Sequence, residues 1–123
     1  MTIQEIATRL VELCRQGQYE TAQRELYADN AVSIEPEGSP GLTNKDSLAG
    51  IIEKGAGFRA MIEEIHGGSV SDPVIAADHF SIALTLDVTL KGMGRVNMDE
   101  IAVYRVKDGK VVKEQFFYTP MPM

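Results

Sequence analysis

Residues 79–91 read HFSIALTLDVTLK, and this stretch decides the fold. Large apolar side chains occupy its even positions: Phe80, Ile82, Leu84, Leu86, Val88 and Leu90. Small and polar side chains occupy its odd positions: Ser81, Ala83, Thr85, Asp87 and Thr89. Because successive side chains of a strand point to opposite faces of a sheet, the alternation predicts one long strand with one buried face.

More strands follow this stretch. Gly92-Met93-Gly94 turns the chain, and residues 95–106 form the next predicted strand. Asp108-Gly109 is a two-residue hairpin turn that tolerates positive φ, and residues 110–118 return as the last strand. The second half of the chain is therefore predicted to be a mostly antiparallel sheet.

Two helices are predicted at the start of the chain. Thr2 and Glu5 form a capping-box pattern, and Gly17 marks the end of the first helix. Apolar residues recur between them at helical spacing: Ile3, Ile6, Ala7, Leu10, Val11 and Cys14. A second, shorter helix has one apolar stripe, made by Tyr19, Ala22, Leu26 and Tyr27.

The middle of the chain joins these helices to the sheet. Residues 31–35 alternate as a short strand, residues 36–41 form a loop, and a third helix runs from Leu48 to a break near Phe58. Residues 60–76 predict a strand interrupted at Gly67-Gly68 and at Asp72-Pro73. Helices come mostly first and strands last, which is an α+β order.

Composition excludes several classes of function. The chain has 123 residues, enough for one domain, and its net charge of −6 with scattered basic residues disfavours nucleic acid and anionic membranes as partners. Cys14 is the single cysteine, so no intrachain disulfide forms. No signal peptide or apolar run of transmembrane length occurs. We expect a cytoplasmic protein.

Two stretches resemble the NTF2-like superfamily and, within it, the SnoaL-like branch. They are YADNAVSIEPEG at residues 27–38, after two helices, and DGKVVKEQFFY at residues 108–118. The resemblance implies a single domain over residues 1–118 with a tail over 119–123. It also implies a cystatin-like cone, in which a curved, mostly antiparallel sheet wraps on three N-terminal helices around a cavity. Members include isomerases, cyclases, dehydratases and binding proteins without activity, and many are homodimers.

The resemblance assigns Glu35 to a catalytic position and argues against steroid isomerisation. The general-base position of ketosteroid isomerases, before a proline at the end of the first strand, corresponds to Glu35 here. The two positions that donate hydrogen bonds to the oxyanion correspond to Leu10 and Ala102. Because neither side chain can stabilise a dienolate, we do not expect steroid isomerisation.

Strand parity and the resemblance together select candidate site residues. The faces expected to point inward carry Met98, Glu100, Ala102, Tyr104 and Val106 on one strand, and Val112, Glu114, Phe116 and Tyr118 on the next. A carboxyl group among apolar side chains has a raised pKa and becomes a usable acid or base near neutrality. The candidate catalytic residues are therefore Glu35, Glu100, Glu114, Tyr118 and His66. The candidate ligand contacts are Met98, Tyr104, Phe116, Phe58, Leu84 and Leu86.

Structural interpretations of the same residues stay open. Glu35 has the opposite parity from Val32 and Ile34, so simple alternation would put it in solvent. Glu100 and Glu114 can instead form cross-strand charge pairs with basic residues of the sheet: Arg95, Arg105, Lys110 or Lys113. The tyrosines can be core aromatics with a hydroxyl at the edge. No HxH, HxxxH, CxxC, GxSxG or phosphate-loop pattern occurs, so we expect no metal and no cofactor.

Two classes of function follow. The first is a protein that binds a small hydrophobic molecule in an acid-lined cavity, with cofactor-free acid/base chemistry as isomerase, dehydratase or cyclase. The second is a non-catalytic ligand-binding protein or a dimeric protein-interaction module. The outer sheet face mixes small, polar and apolar residues, which suits a homodimer through that face. The sequence leaves open whether the protein is an enzyme.

Overall fold

The computed structural model of the chain describes residues 1–39 and 42–120. Helix α1 (Ile3–Arg15) begins at the predicted capping box, in which Thr2 Oγ1 accepts the Glu5 N–H at 3.2 Å and Glu5 Oε1 accepts the Thr2 N–H at 2.8 Å. Gly17 follows it with φ +73°, a conformation that glycine adopts without strain. Helix α2 (Tyr19–Leu26) then leads directly into strand β1 (Tyr27–Ile34).

Helix α3 (Leu48–Ala60) is longer than its sequence suggests. Its N-cap is Ser47, whose hydroxyl accepts the Gly50 N–H at 3.0 Å. The helix continues two residues past the predicted break near Phe58, because Gly55 and Gly57 weaken a helix without ending it. Lys54 lies on the apolar side of this helix, three residues after Ile51 and four before Phe58.

Five strands complete the chain: β2 (Ile62–Val70), β3 (Val74–Ala76), β4 (His79–Leu90), β5 (Gly94–Lys107) and β6 (Lys110–Phe117). The sheet order is β1-β6-β5-β4-β2, with β3 pairing β4. Strands β1 and β6 run parallel, and the other pairs are antiparallel. The predicted α+β architecture, a mostly antiparallel open sheet with three helices, is confirmed.

The sequence predicted an interruption of this strand at Gly67-Gly68. In the structure the glycine pair lies within β2 and does not interrupt it. The interruption falls at residues 71–73, while the glycines follow a register shift between Ile65 and Gly67. A Cβ at Gly68 would lie 2.8 Å from the backbone oxygen of Thr85. A larger residue there would therefore push β2 away from β4.

The apolar core lies between the helices and the inner sheet face. Its helix side is formed by Ile6, Leu10, Val11, Leu26 and Ile51, and its sheet side by Phe80, Ile82, Ala102, Tyr104 and Val111. The Phe80 and Tyr104 rings stack with their centroids 4.8 Å apart. The even-numbered row of β4 therefore faces the helices, as its alternation predicts.

The parity expected for Val112 is wrong. Val106 pairs with Val111 while Arg105 pairs with Lys113, so Val112 is an extra residue at a register shift. Val111 is fully buried instead, and inward parity resumes at Glu114. The bulge is what allows both ends of β6 to present side chains to the helices.

Two large apolar side chains stand on the outer sheet face. Ile101 and Phe117 are register partners across β5 and β6, and they are 51% and 50% exposed. The homodimer through this face stays a prediction. Within the described part of the chain, no helix is both long and apolar enough to cross a membrane.

Candidate functional site

A cavity of about 480 Å³ opens between the helices and the inner sheet face. All six predicted ligand contacts line it: Phe58, Leu84, Leu86, Met98, Tyr104 and Phe116. The same cavity is lined by three carboxyl groups and one ammonium group, from Glu35, Glu100, Glu114 and Lys54. The site is therefore a mostly apolar chamber with a few charged groups, the usual composition of a small-molecule site.

Glu35 faces inward, contrary to the simple alternation of β1. Ala31 and Ser33 are the fully buried residues of this strand, whereas Val32 and Ile34 are half-buried on the other side. Glu35 continues the buried parity directly after the strand, and its backbone N–H donates to Asn44 Oδ1 at 2.8 Å. The expectation of a solvent-facing Glu35 was wrong because the small residues of β1 mark its inner face.

Lys54 is the site residue that the sequence analysis missed. Its Nζ donates to Glu35 Oε2 at 2.7 Å and to Ser33 Oγ at 2.7 Å. In this ion pair the Lys54 side chain is 8% exposed and the Glu35 side chain is 6% exposed. The Lys54 Nζ also lies 5.7 Å from the centroid of the Phe116 ring. Its helical spacing could have indicated this role, because Lys54 lies three residues from Ile51 and four from Phe58, on the apolar side of the helix.

Glu114 is enclosed by hydroxyl groups. It is 3% exposed, and it accepts hydrogen bonds from Tyr27 OH and, at 2.7 Å, from Ser33 Oγ. Ser33 and Glu114 are register partners of the parallel β1–β6 pair. Burial raises the pKa of the Glu114 carboxyl, and the two hydroxyl donors oppose that rise.

Glu100 reaches the same cavity without such donors. It lies opposite Leu84 in the β4–β5 pair, and none of the side chains in residues 1–39 and 42–120 donates a hydrogen bond to its carboxyl. Burial raises the pKa of Glu100 to about 7, and the negative charges of Glu35 and Glu114 contribute while Lys54 opposes them. A carboxyl with a pKa near 7 has the property that acid/base catalysis at neutral pH requires.

The cross-strand charge pairs considered for these acids do not form. Arg95 binds Asp87 and Arg105 binds Asp78, both on the side of the sheet away from the cavity. Lys110 donates to the backbone oxygen of Glu25. The partners of Glu114 are hydroxyl groups, which parity alone does not predict.

The structure brings Tyr118 to the site and leaves His66 outside it. Tyr118 OH donates to Glu35 Oε1 at 2.6 Å and lies 3.0 Å from Ser39 Oγ. Burial and the Glu35 carboxylate raise the pKa of the Tyr118 hydroxyl, which stays protonated. His66 Nε2 lies 2.7 Å from Thr89 Oγ1, on the outer parity of β4, because the register shift between Ile62 and Glu64 takes His66 off the inward parity of Ile62.

The polar contacts form one chain. It runs from Tyr118 through Glu35, Lys54, Ser33 and Glu114 to Tyr27. Sequence reasoning also missed Ser33, a conventional strand residue until the pairing of β1 with β6 is known. It also missed Tyr27, which was predicted on the stripe of the second helix but is the first residue of β1. Glu100 lines the cavity outside this chain of contacts.

No three His, Cys, Asp or Glu side chains among the described residues are placed to hold a metal ion. The Cys14 thiol lines the cavity, and burial raises its pKa to about 12, so it remains a protonated apolar contact. The expectation of chemistry without a metal or cofactor stays a prediction.

Known proteins similar to this chain have the same architecture. The family model described as SnoaL-like domain matches residues 1–118. A Mesorhizobium loti protein, described as a proposed SnoaL-like polyketide cyclase and as a carbohydrate phosphatase, is 37% identical with a TM-score of 0.88, over 96% of this chain and 100% of that one. No curated protein matches the chain.

Two more distant structures show the fold alone. An NTF2-like protein of unknown function from Burkholderia pseudomallei has a TM-score of 0.78 at 15% identity, over 97% of this chain and 92% of that one. A protein with a cystatin-like fold from Xanthomonas campestris has a TM-score of 0.78 at 14% identity, over 95% and 90% of the two chains. The predicted NTF2-like, cystatin-like architecture is confirmed by these matches.

Proposed function

The chain belongs to the SnoaL-like domain family, and from this premise we propose that it is a cofactor-free acid/base enzyme acting on a small hydrophobic carbonyl compound. The observation that carries the proposal is the Glu100 carboxyl, which faces an apolar cavity without a hydrogen-bond donor from the described side chains. The similar protein described as a proposed polyketide cyclase supports a carbonyl substrate.

Glu100 acts as the base in the first step. Its pKa of about 7 leaves a substantial fraction ionised at neutral pH while keeping the carboxylate basic enough to accept a proton from carbon. The proton moves from the carbon next to the carbonyl to the carboxylate, and the electron pair of that C–H bond forms an enolate. Isomerisation, dehydration and aldol-type cyclisation all begin with this step.

Lys54 supplies the positive charge that the enolate oxygen needs. The positions of the usual oxyanion donors carry Leu10 and Ala102, which have no polar side-chain atoms. An ammonium group has three N–H donors, and Glu35 and Ser33 take two of those of Lys54, which leaves one for a ligand oxygen. Glu35, Ser33 and Tyr118 are then positioning residues, because they hold Lys54 at the cavity wall.

The test is exchange of the α-protons of propiophenone for deuterium, followed by proton NMR in D2O. We expect the wild-type chain to accelerate exchange, with the rate rising to a plateau above pH 7 as Glu100 ionises. Glu100→Gln should lose about 100-fold or more of the rate, the usual contribution of a positioned base. Glu63→Gln is the matched control, because Glu63 is exposed and does not line the cavity.

Binding and catalysis separate in the same samples. Ligand-observed NMR measures propiophenone binding to both variants and to the wild type. If propiophenone binds the wild type and no exchange occurs, the enzyme proposal is wrong and non-catalytic ligand binding takes its place. If Glu100→Gln exchanges as fast as the wild type, Glu100 is not the base.

We also propose that the chain forms a homodimer through its outer sheet face. The exposed Ile101 and Phe117 side chains, which are register partners, support this face as the contact. Light scattering after gel filtration should give twice the monomer mass of 13.5 kDa. Phe117→Glu should shift the mass to that of the monomer, and a monomeric wild type would contradict the proposal.

A further inference from the structure

An open groove of about 1020 Å³ lies beside the cavity. Strand β5 forms one wall over residues 97–100, where it pairs with β4 and lies beyond the end of β6 at Phe117. The opposite wall is formed by Gly57 and Phe58 of α3 and by Met61, which follows the helix. Tyr118 and Thr119 close one end, and the β4–β5 turn at Gly92 and Met93 closes the other.

The groove and the cavity share a boundary. Five residues line both: Leu42, Lys54, Phe58, Met98 and Glu100. The proposed base and the proposed oxyanion donor therefore stand at the junction of the two spaces. A molecule that presents its reacting carbon to Glu100 has room on both sides of that carbon.

The two spaces differ in character. The cavity ends among buried apolar side chains such as Leu10 and Ile51. The groove combines apolar surface from Met61, Met93 and Leu90 with polar side chains such as Lys45 and Asp99. Methionine side chains adapt their shape to a flexible ligand. A compact apolar group suits the cavity, and a flexible chain with polar substituents suits the groove.

We propose that the groove is a second subsite and that the substrate is an elongated ketone whose reacting carbon lies within the molecule rather than at its end. The apolar head fills the cavity, the carbonyl region lies at Glu100 and Lys54, and a flexible chain of several carbons continues along the groove. This inference rests on the proposed function, and it adds the size and shape of the substrate to it.

Two glycines of α3 allow the two spaces to be filled separately. Gly57 lines the groove alone, and a Cβ built on it meets nothing within 4 Å. Gly55 lines the cavity alone, and a Cβ there lies 3.1 Å from the flexible end of Arg59. Both occupy ordinary helical positions two residues apart, so they form a matched pair.

The experiment measures dissociation constants for phenyl alkyl ketones, from propiophenone through hexanophenone to octanophenone. Each methylene that is fully buried raises affinity about fourfold, so half-burial in an open groove gives roughly twofold. We expect octanophenone to bind the wild type roughly 30-fold more tightly than propiophenone. Gly57→Trp should reduce that ratio to below about threefold by weakening octanophenone alone, whereas Gly55→Leu should weaken every ketone by a similar factor.

The outcomes distinguish this inference from the proposed function. If propiophenone and octanophenone bind the wild type equally, or if Gly57→Trp weakens both equally, the second subsite is wrong and the proposed function stands. If no ketone binds the wild type, the proposed function fails and the inference fails with it. Thermal unfolding curves show whether each variant is folded. Gly57→Leu, with a smaller side chain, replaces Gly57→Trp if the tryptophan variant does not fold.

Discussion

Glu100 and Glu114 stand on neighbouring strands and reach the same cavity, yet their surroundings differ. Glu114 lies at the closed end, where Tyr27 and Ser33 donate to it, and Ser33 in turn accepts from Lys54 at the junction with the groove. Glu100 lies at the open junction with the groove. Burial alone therefore does not identify a functional acid, because the hydrogen-bond donors around it decide whether it is structural or free to react.

The largest effect should come from removing the Lys54 ammonium group, which connects the closed end to the junction. Lys54→Met removes the cation from an almost fully buried pair and leaves Glu35 as an uncompensated charge. We expect a loss of about 4 kcal/mol in the free energy of unfolding, measured by urea denaturation at pH 7. Lys107→Met, at an exposed position, should change it by less than about 0.5 kcal/mol.

A double variant shows whether this loss comes from the charge. Lys54→Met with Glu35→Gln should recover at least half of the lost stability, because the buried charge has then been removed. A double variant that is less stable than Lys54→Met would contradict the ion-pair explanation and favour lost packing against Phe116.

Substitution of Glu100, at the open junction, should raise the free energy of unfolding, whereas substitution of Lys54 should lower it. The pKa of Glu100 is about 7 in the folded chain and near its ordinary value of 4.5 in the unfolded chain, so the folded chain binds more protons between these pH values. Stability therefore falls as pH rises from 4.5 to 7, by at most about 3 kcal/mol for this group. Glu100→Gln should match the wild type at pH 4 and exceed its stability by up to about 3 kcal/mol at pH 8.

Urea denaturation of both proteins from pH 4 to pH 8 measures this difference. Glu114 contributes a fall of the same sign in both proteins, because its pKa is also raised. Parallel stability curves for wild type and Glu100→Gln would show that Glu100 has an ordinary pKa, and the contrast between the two acids would then disappear.

A smaller effect should follow from removing one hydroxyl at the closed end. Ser33→Ala takes one donor from Glu114 and one acceptor from Lys54. We expect a loss of about 2 kcal/mol, because both groups stay buried with one partner fewer. Ser69→Ala, which removes an exposed contact with Thr85, should cost about 0.5 kcal/mol and serves as its control. If the two variants lose equal amounts of unfolding free energy, the buried hydrogen bonds of Ser33 contribute no more to stability than an exposed contact.

The smallest effect should be a gain at the open end. Gly57 is a helical residue with free space around it, so Gly57→Ala stabilises α3 without a clash. We expect the free energy of unfolding to rise by about 0.5 to 1 kcal/mol, as measured by thermal and urea denaturation. A loss of stability would mean that the space beside Gly57 is filled in solution.

The fold was predictable from sequence because its strongest signals are local. The alternation from Phe80 to Leu90, the Asp108-Gly109 turn and the Thr2–Glu5 cap each depend on residues close together in the chain. Strand parity grouped Glu100 and Glu114 with their neighbours, and the resemblance to the SnoaL-like branch implied that those faces point inward. Parity failed at Val112, where a bulge inserts one residue, and at Glu35, where small residues rather than large ones mark the buried side.

The contacts of the site were not predictable for a different reason. Ser33 contacts Glu114 only through the parallel pairing of β1 with β6. Parallel strands are not joined by a hairpin turn, so no local sequence pattern predicts that pairing. Lys54 shares a helical side with Ile51 and Phe58, but a lysine at such a position more often extends its ammonium to solvent. Its burial depends on Glu35 and Ser33, which come from another element.

The parallel pairing of β1 with β6 also has a kinetic consequence. The Ser33–Glu114 contact joins residues 81 positions apart, whereas the β5–β6 hairpin closes across Asp108 and Gly109. Long loops close at a high entropic cost, so contacts of this kind form late in folding and open early on mild destabilisation. Amide hydrogen exchange should therefore find β1 less protected than β4 and β5, and the hydrogen-bond chain through Ser33 and Glu114 should be lost while most of the sheet persists.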